Sequence, residues 1–429
     1  MTELIIPSEA PAPSELKERK LDQTARKALL SLLSKLKHGR ITLTEDNQRY
    51  PFGEESFAAS LKADISVHHS RFYSRILFGG SIGAAEAYME GLWSADDLTM
   101  VMRILALNQK AFEDMEKGLA RLTAPLYKLY HFARKNTKLG SRKNILAHYD
   151  LGNDFYALFL DQTMTYSCGI FEHEQSTLED ASVAKYDRLC QKLQLKPGQR
   201  VVEIGTGWGG FAVHAAQNYG VHVTTTTISE EQHRYAAKRF RKAGLEDQIS
   251  LLKKDYRDIR GEFDRLISIE MVEAVGHQFY AAFFETCSRL LKDNGLMALQ
   301  AITIGDQIFD RHKRSVDFIK RYIFPGSCIP SVTAISNAIA RATDLQLIHL
   351  EDITPHYART LRKWRRRFFA NVDKVRKMGY PETFIRMWEY YLCYCEGGFA
   401  ERYIGDVQML FAKPRYRWDD LRPEPAKTR

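Results

Sequence analysis

Val201-Val202-Glu203-Ile204-Gly205-Thr206-Gly207-Trp208-Gly209-Gly210 is the stretch whose reading decides the fold. An apolar run carrying one acid leads into glycines at alternate positions, and a helix-like run from Phe211 to Gln217 follows. Glycines at 205, 207 and 209 let a chain turn sharply and bring its backbone against a ligand that a Cβ would hold off. The spacing is G-x-G-x-G, not the G-x-G-x-x-G of pyrophosphate binding, and no phosphate-loop lysine follows. On this stretch alone a plain tight turn between strand and helix stays open.

The residues on either side extend the pattern. A helix over about 174–195 and the pair Pro197-Gly198 precede the first strand, Arg200 to Ile204. A second strand, Val221 to Thr226, ends in Thr227-Ile228-Ser229-Glu230-Glu231-Gln232, where Ser229 suits a helix N-cap. Most nucleotide-type folds place an acid here for the ribose; this chain offers threonines and Gln232. A third strand (Ile249 to Lys253) stops at Asp255-Tyr256, a fourth (Phe263 to Ile269) at Glu270-Met271-Val272-Glu273, and a fifth (Gly295 to Ile304) carries Gln300. Strands alternating with helices imply an α/β, Rossmann-like, doubly wound parallel sheet, with ligands at the carboxyl ends of its strands. The polar residues just named fall at those ends.

Toward the N-terminus the chain changes character. Residues 1–15 suggest disorder. Residues 16–37 predict a basic amphipathic helix with Ala25, Ala28, Leu29, Leu32, Leu33 and Leu36 on one face, suited either to a membrane surface or to packing on its own domain. Alternation over 40–75 predicts a few antiparallel strands, and Ser81 to Asn108 returns to helical spacing. The expected organisation is a smaller N-terminal α+β domain over 1–125, a basic linker over 126–145, a catalytic domain over 146–415 and a tail over 416–429.

A chain of 429 residues exceeds one ordinary core. No apolar run approaches the roughly 20 residues of a membrane span, and residues 1–18 lack the core of an export signal. Six cysteines without a C-x-x-C pair argue against a metal site and for a reducing cytoplasm. A net charge of +9 suits an anionic partner, either phospholipid or nucleic acid. Between 359 and 377 lie Arg359, Arg362, Lys363, Arg365, Arg366, Arg367, Lys374, Arg376 and Lys377, with Trp364, Phe368 and Phe369 among them. A solvated helix face is the ordinary reading of such a run. No RNA-binding signature accompanies it.

Several motifs together carry a resemblance. They are H-Y-D-L-G-N-D-F-Y (148–156), T-Y-S-C (165–168), E-I-G-T-G-W-G (203–209), E-x-V-G (273–276), Y-I-F-P-G-S-C-I-P-S (322–331), P-H-Y-A-R-T-L (355–361) and Y-Y-L-C-Y-C-E-G-G-F (390–399), in order over about 140–410. The chain resembles the cyclopropane-fatty-acyl-phospholipid synthases, S-adenosylmethionine (SAM)-dependent methyltransferases, and residues 79–93 resemble the smaller domain of the bacterial enzymes. The resemblance implies transfer of a methylene carbon from SAM to a cis double bond of a phospholipid acyl chain, with bound bicarbonate as general base. It implies Glu273, the Tyr357 hydroxyl and the Cys168 backbone amide as bicarbonate ligands. Where much of the family has a histidine this chain has Gln300, which can donate a hydrogen bond but not carry a proton. For SAM it implies Tyr166, Ser167 and Glu203 at the methionine end, Gly205 and Gly207 along the backbone, Thr227 and Gln232 at the ribose, and Asp255 with Tyr256 at the adenine. Plainer readings stand beside these: Asp255 as an N-cap, Tyr256 and Tyr357 as packing residues, and Glu270 as the acid in place of Glu273.

The resemblance makes phospholipid rather than nucleic acid the expected partner of the basic cluster at 359–377 and of the hinge at 134–143. It places the protein in the cytoplasm, peripherally on the inner face of the membrane; a homodimer is compatible with the sequence. Simple methylation giving a methyl or methylene branch, small-molecule N-methylation and a non-catalytic lipid-binding role stay open.

Overall fold

The computed structural model describes residues 20–53, 61–110 and 151–417. The expectations for residues 1–15, the linker 126–145 with its basic hinge, the start of the 148–156 motif and the tail beyond 417 lie outside the described residues.

The N-terminal residues build a four-stranded sheet from β1 (Arg40–Glu45), β2 (Gln48–Phe52), β3 (Lys62–Val67) and β4 (Trp93–Ala95), in the order β2-β1-β3-β4. Asp46 and Asn47 both take positive φ (48° and 65°), the backbone of a two-residue hairpin turn between β1 and β2. β3 runs parallel to β1, so the expected all-antiparallel pairing is corrected. Alternation reads the same in both strand directions; it fixes which face is buried and not which way the strand runs. The pairs Ile41↔Ala63 and Leu43↔Ile65 put apolar residues of both strands toward one core. Helix Lys20–Leu33 closes that core with Ala25, Leu29, Leu32 and Leu33 buried, while Ala28 is exposed. Of its two readings, packing on its own unit is what the structure shows.

The larger sheet has seven strands: β5 (Arg200–Ile204), β6 (His222–Thr226), β7 (Ile249–Leu252), β8 (Phe263–Ile269), β9 (Leu291–Ile304), β10 (Gln346–Asp352) and β11 (Ile404–Ala412), in the order β10-β11-β9-β8-β5-β6-β7. β5 to β9 are parallel, as the glycine loop and its neighbours imply. β11 enters between β9 and β10 and is antiparallel to both, so the sheet is not wholly parallel. Helices cover both faces, and the Ser229 cap forms, its hydroxyl accepting from the Gln232 N–H.

Helix Glu382–Ala400 ties the two parts together. It packs against helices Arg71–Met89 and Leu98–Leu107 on one side and against helix Thr354–Ala370 on the other. One apolar core runs from Ala25 through Trp93 and Tyr390 to Phe155 and Trp364. Arg386 donates to the carbonyls of Tyr88 (2.5 Å) and Trp93 (2.8 Å), and the Tyr88 hydroxyl donates to Glu389 (2.7 Å).

Candidate active site

The glycine loop makes the sharp turn its spacing implies. Gly205, Gly207 and Gly209 all take positive φ (104°, 53° and 84°). A Cβ on Gly209 would stand 2.5 Å from the Phe240 ring, so that glycine lets helix Glu230–Ala243 lie close to the loop; a Cβ on Gly207 would meet nothing within 4 Å and would project into the open side of the turn. Gly207→Ala is therefore expected to cost about 1 kcal/mol of folding stability through its left-handed backbone. Its loss of SAM affinity should be larger than that; calorimetric titration beside a melting curve separates the two.

Around this loop lies a cavity of about 980 Å³ that Tyr166, Ser167, Glu203, Gly205, Gly207, Thr227, Gln232, Asp255 and Tyr256 all line. Thr227 Oγ1 donates to Gln232 Oε1 (2.9 Å), which fixes the pair at the end of β6. Asp255 caps the short turn Tyr256–Asp258, and its carboxylate accepts from the Arg257 backbone (3.0 Å) and guanidinium (2.6 and 2.7 Å). Its capping role is thus real, although it still borders the cavity. The Tyr256 ring packs edge-on against Phe283. The Tyr166 hydroxyl lies 2.9 Å from that of Tyr391, and Ser167 Oγ accepts from Lys185 Nζ at 2.7 Å. Burial lowers the Lys185 pKa, while the acids around it pull the other way.

The expected bicarbonate ligands do come together, and what they hold is Glu270. The Cys168 N–H donates to Glu270 Oε1 at 2.8 Å, Gln300 Nε2 donates to the same oxygen at 2.7 Å, and the Tyr357 hydroxyl donates to Oε2 at 2.6 Å. Glu270 reaches this position from the end of β8 with a positive φ of 47°, a conformation that non-glycine residues seldom adopt and that tends to collect at functional sites. A side-chain carboxylate has the two-oxygen face that bicarbonate would present, so the residues present do not fit a separate anion at those donors. The donors expected to hold bicarbonate are met by the chain's own carboxylate.

Glu273 lines the same cavity. It sits in the turn Val272–Ala274, with Oε1 accepting from the Ile302 N–H at 2.5 Å. Its Oε2 is buried and has no hydrogen-bond partner among the described residues. Burial, reinforced by Glu270 nearby, pushes its pKa up to about 8. Burial does the same to Glu203, also to about 8, against the Thr225 hydroxyl that donates to it at 2.5 Å. Both acids bind a proton in the folded chain that the unfolded chain releases near pH 4.5. Folding stability should therefore fall as pH rises from about 4.5 to about 8, by up to about 1.4 kcal/mol per pH unit for each group. Glu273→Gln should flatten that slope in melting curves taken across the window; an unchanged slope would contradict the protonated state.

Three residues of the site went unread in the sequence. Asp406 on β11 is wholly buried 3.4 Å from Gln300 Nε2, and burial beside Glu270 and Glu273 raises its pKa far above the ordinary carboxylate range. Gln408 donates to Gln300 Oε1 at 3.0 Å and so orients the amide that donates to Glu270. Lys185 is wholly buried, its amine donating to Ser167 Oγ. Two lie on the unrecognised strand β11 and the third inside a helix, where no motif marks it. Aromatic rings complete the pocket: Tyr357 stacks on Phe399 (centroids 4.2 Å apart), and Tyr166 lies 5.2 Å from Trp364. His356 accepts from the Phe171 N–H at 3.2 Å, a packing role.

The seven-stranded sheet with one antiparallel strand near its edge, the glycine turn after β5 and the polar residues at the strand ends define a SAM-dependent methyltransferase. The family model for mycolic acid cyclopropane synthetase matches residues 136–409, and the chain belongs to that family. It is 38% identical over 359 residues to the cyclopropane-fatty-acyl-phospholipid synthase of Escherichia coli, covering 82% of this chain and 89% of that one. It is 37% identical over 385 residues to a tuberculostearic acid methyltransferase of Mycobacterium tuberculosis, covering 88% and 87%. Among solved structures, a cyclopropane synthase from Mycobacterium tuberculosis superposes with a TM-score of 0.59 at 32% identity, covering 63% of this chain and 98% of that one. The mycolic acid cyclopropane synthase CmaA1 in complex with S-adenosylhomocysteine also scores 0.59, at 33% identity and the same coverage.

Proposed function

We propose that this chain transfers the methyl carbon of SAM to the cis double bond of an unsaturated phospholipid acyl chain and closes a cyclopropane ring, with the Glu270 carboxylate as general base. The observation that carries this reading is the convergence of the Cys168 amide, the Gln300 amide and the Tyr357 hydroxyl on Glu270. SAM bound along the ends of β5 to β7 supplies an electrophilic methyl group. The open side of Gly207 and the paired Thr227 and Gln232 suit its backbone and ribose. Tyr166, Ser167 and Glu203 suit its methionine end, and Asp255 with Tyr256 its adenine.

The remaining chemistry falls to side chains of this protein. An alkene is a weak nucleophile, so it must be held in line and kept from water. The Tyr357, Tyr391 and Phe399 rings border the space where positive charge develops on the methylated chain. A C–H bond of the new methyl then breaks, its electron pair closes the ring, and the proton passes to a Glu270 oxygen. Glu273 keeps its own proton at neutral pH and so adds no second negative charge beside the base. Incubation with mono-unsaturated phospholipid vesicles, followed by mass spectrometry of the acyl chains, tests the transfer.

A second reading has an observation of its own. The tuberculostearic acid methyltransferase is as similar to this chain as the E. coli synthase is. If the cation shifts along the chain before the proton leaves, the same base yields a methylene branch. Proton NMR separates the two products by the shielded ring protons of a cyclopropane.

The lipid surface is approached by part of the basic cluster. Arg362 and Arg365 are held by the buried Glu396 (2.8 and 3.1 Å), and Trp364 and Phe368 belong to the core. Arg366, Arg367 and Phe369 are exposed. Among the described residues no helix is long and apolar enough to cross a membrane. Reversing the charge of Arg366 and Arg367 should weaken binding to anionic vesicles at low salt by about 1 kcal/mol per residue, whereas reversing Arg365 would unfold rather than detach. Unchanged sedimentation with vesicles would exclude this face.

A further inference from the structure

The cavity at the glycine loop does not end with the catalytic residues. It continues past Tyr391 and Tyr394 of helix Glu382–Ala400 into the N-terminal unit, where the three helices and strands β1, β3 and β4 contribute to its wall. Leu29 comes from the first helix, Ile41 from β1, Ile65 from β3, Ile76 from helix Arg71–Met89 and Val101 from helix Leu98–Leu107. Each of these side chains is buried. The cavity therefore has two chemically different ends, carboxylates, hydroxyls and glycines at the sheet and aliphatic side chains in the N-terminal unit. Its volume, about 980 Å³, stands at the top of the range for small-molecule sites.

The wall of this second arm has a constructed feature. Helix Arg71–Met89 breaks at Gly80, whose φ of 57° and ψ of −139° are not helical. Kinks of this kind have identifiable local causes, and a Gly-Gly-Ser run is one of them. Gly79, Gly80 and Ser81 all border the cavity, and a Cβ built on Gly79 would meet no atom of the described residues within 4 Å. The family model begins only at residue 136, so none of this arm falls within it.

We propose that the arm in the N-terminal unit binds the methyl-terminal portion of the acyl chain, the part beyond the reacting double bond, and so measures its length. The proposal rests on the lipid reading given above. Its direction follows from solvation: a phosphate headgroup cannot be buried among Leu29, Ile41 and Val101 without a large penalty, whereas a hydrocarbon end gains roughly 0.8 kcal/mol for each methylene buried. The headgroup is left to the polar border of the same cavity at 310–317, where Arg311 and Arg314 are exposed.

Two phospholipid probes test this with the full-length protein, S-adenosylhomocysteine being present. One carries a photoreactive diazirine at the methyl end of its acyl chain, the other a diazirine next to the ester. Irradiation and peptide mass spectrometry should place the methyl-end label within residues 71–107 and the ester-end label within 305–325. A methyl-end label confined to residues 151–417, or absent from the protein, would overturn the proposal, as would the two labels exchanged. A variant gives a second readout: Gly79→Leu adds a side chain into open space and should lower the rate on long acyl chains at least tenfold relative to short ones, with SAM affinity kept. An unchanged ratio with the variant folded would also overturn it. Labelling needs no turnover, so a labelled arm without methyl transfer would retain the binding site and defeat the catalytic reading instead.

Discussion

Glu270→Gln is expected to lower turnover by about 10²–10⁴-fold, the usual weight of a positioned general base, while SAM still binds. The substitution keeps the size of the side chain but replaces one carboxylate oxygen with an NH₂ group. That group must face either the Cys168 N–H and Gln300 amide or the Tyr357 hydroxyl, all of which donate to Glu270 at present. Glu270→Gly should be as inactive for a different reason. It leaves the Cys168 N–H and the Gln300 amide without the acceptor they have now, at about 1–3 kcal/mol for each buried donor so stranded. It also removes the left-handed strain at this position. The hole it opens has the shape of a small carboxylate, so added bicarbonate or formate should restore part of the activity of Glu270→Gly and do nothing for the unaltered protein. Full activity in Glu270→Gln would transfer the role of base to Glu273.

Tyr357→Phe is expected to lower kcat by about 10- to 100-fold, which corresponds to the 1.5–3 kcal/mol of a hydrogen bond to a charged group. The hydroxyl is a positioning group: it touches Glu270 Oε2 at 2.6 Å, and the ring is fixed independently by its stack on Phe399. The phenylalanine ring should keep that stack, so melting temperature and SAM affinity should stay put while kcat falls and KM for lipid changes little. A methyltransferase acting on a small amine needs no base at this place and would tolerate the change. Nearly full activity on phospholipid in Tyr357→Phe would mean that Glu270 is not aligned by the donors that surround it.

The parts of the molecule that the sequence revealed are those whose backbone demands a particular residue type. Glycines at 205, 207 and 209 need positive φ, and from them β5 to β9 could be laid out in order. β10 and β11 escaped because neither shows a clean alternation. β10 is largely exposed, and β11 buries Asp406 and Gln408 amid its apolar residues. Those two polar residues belong to the site, which is why the strand that holds them reads poorly as a strand. The choice between Glu270 and Glu273 lay beyond one-dimensional reading. They are three residues apart at one strand end, and it is the φ of 47° at Glu270 that turns this side chain toward Cys168, Gln300 and Tyr357. The neutral Gln300 was legible as a donor to an anion; that the anion belongs to the chain itself was not. The N-terminal unit likewise showed no polar constellation, and its apolar residues read as core because a core and an acyl-chain sheath are lined by the same side chains.

The central claim is that Glu270 takes a proton from the methyl group newly attached to an acyl-chain alkene. Methyl-deuterated SAM tests it most directly, with the protein incubated on vesicles of mono-unsaturated phospholipid and the acyl chains analysed by mass spectrometry. The expected product retains two of the three deuteriums, and Glu270→Gln yields little of it. Retention of all three would contradict the account, because the proton would then have left from elsewhere in the chain and Glu270 would not be its acceptor.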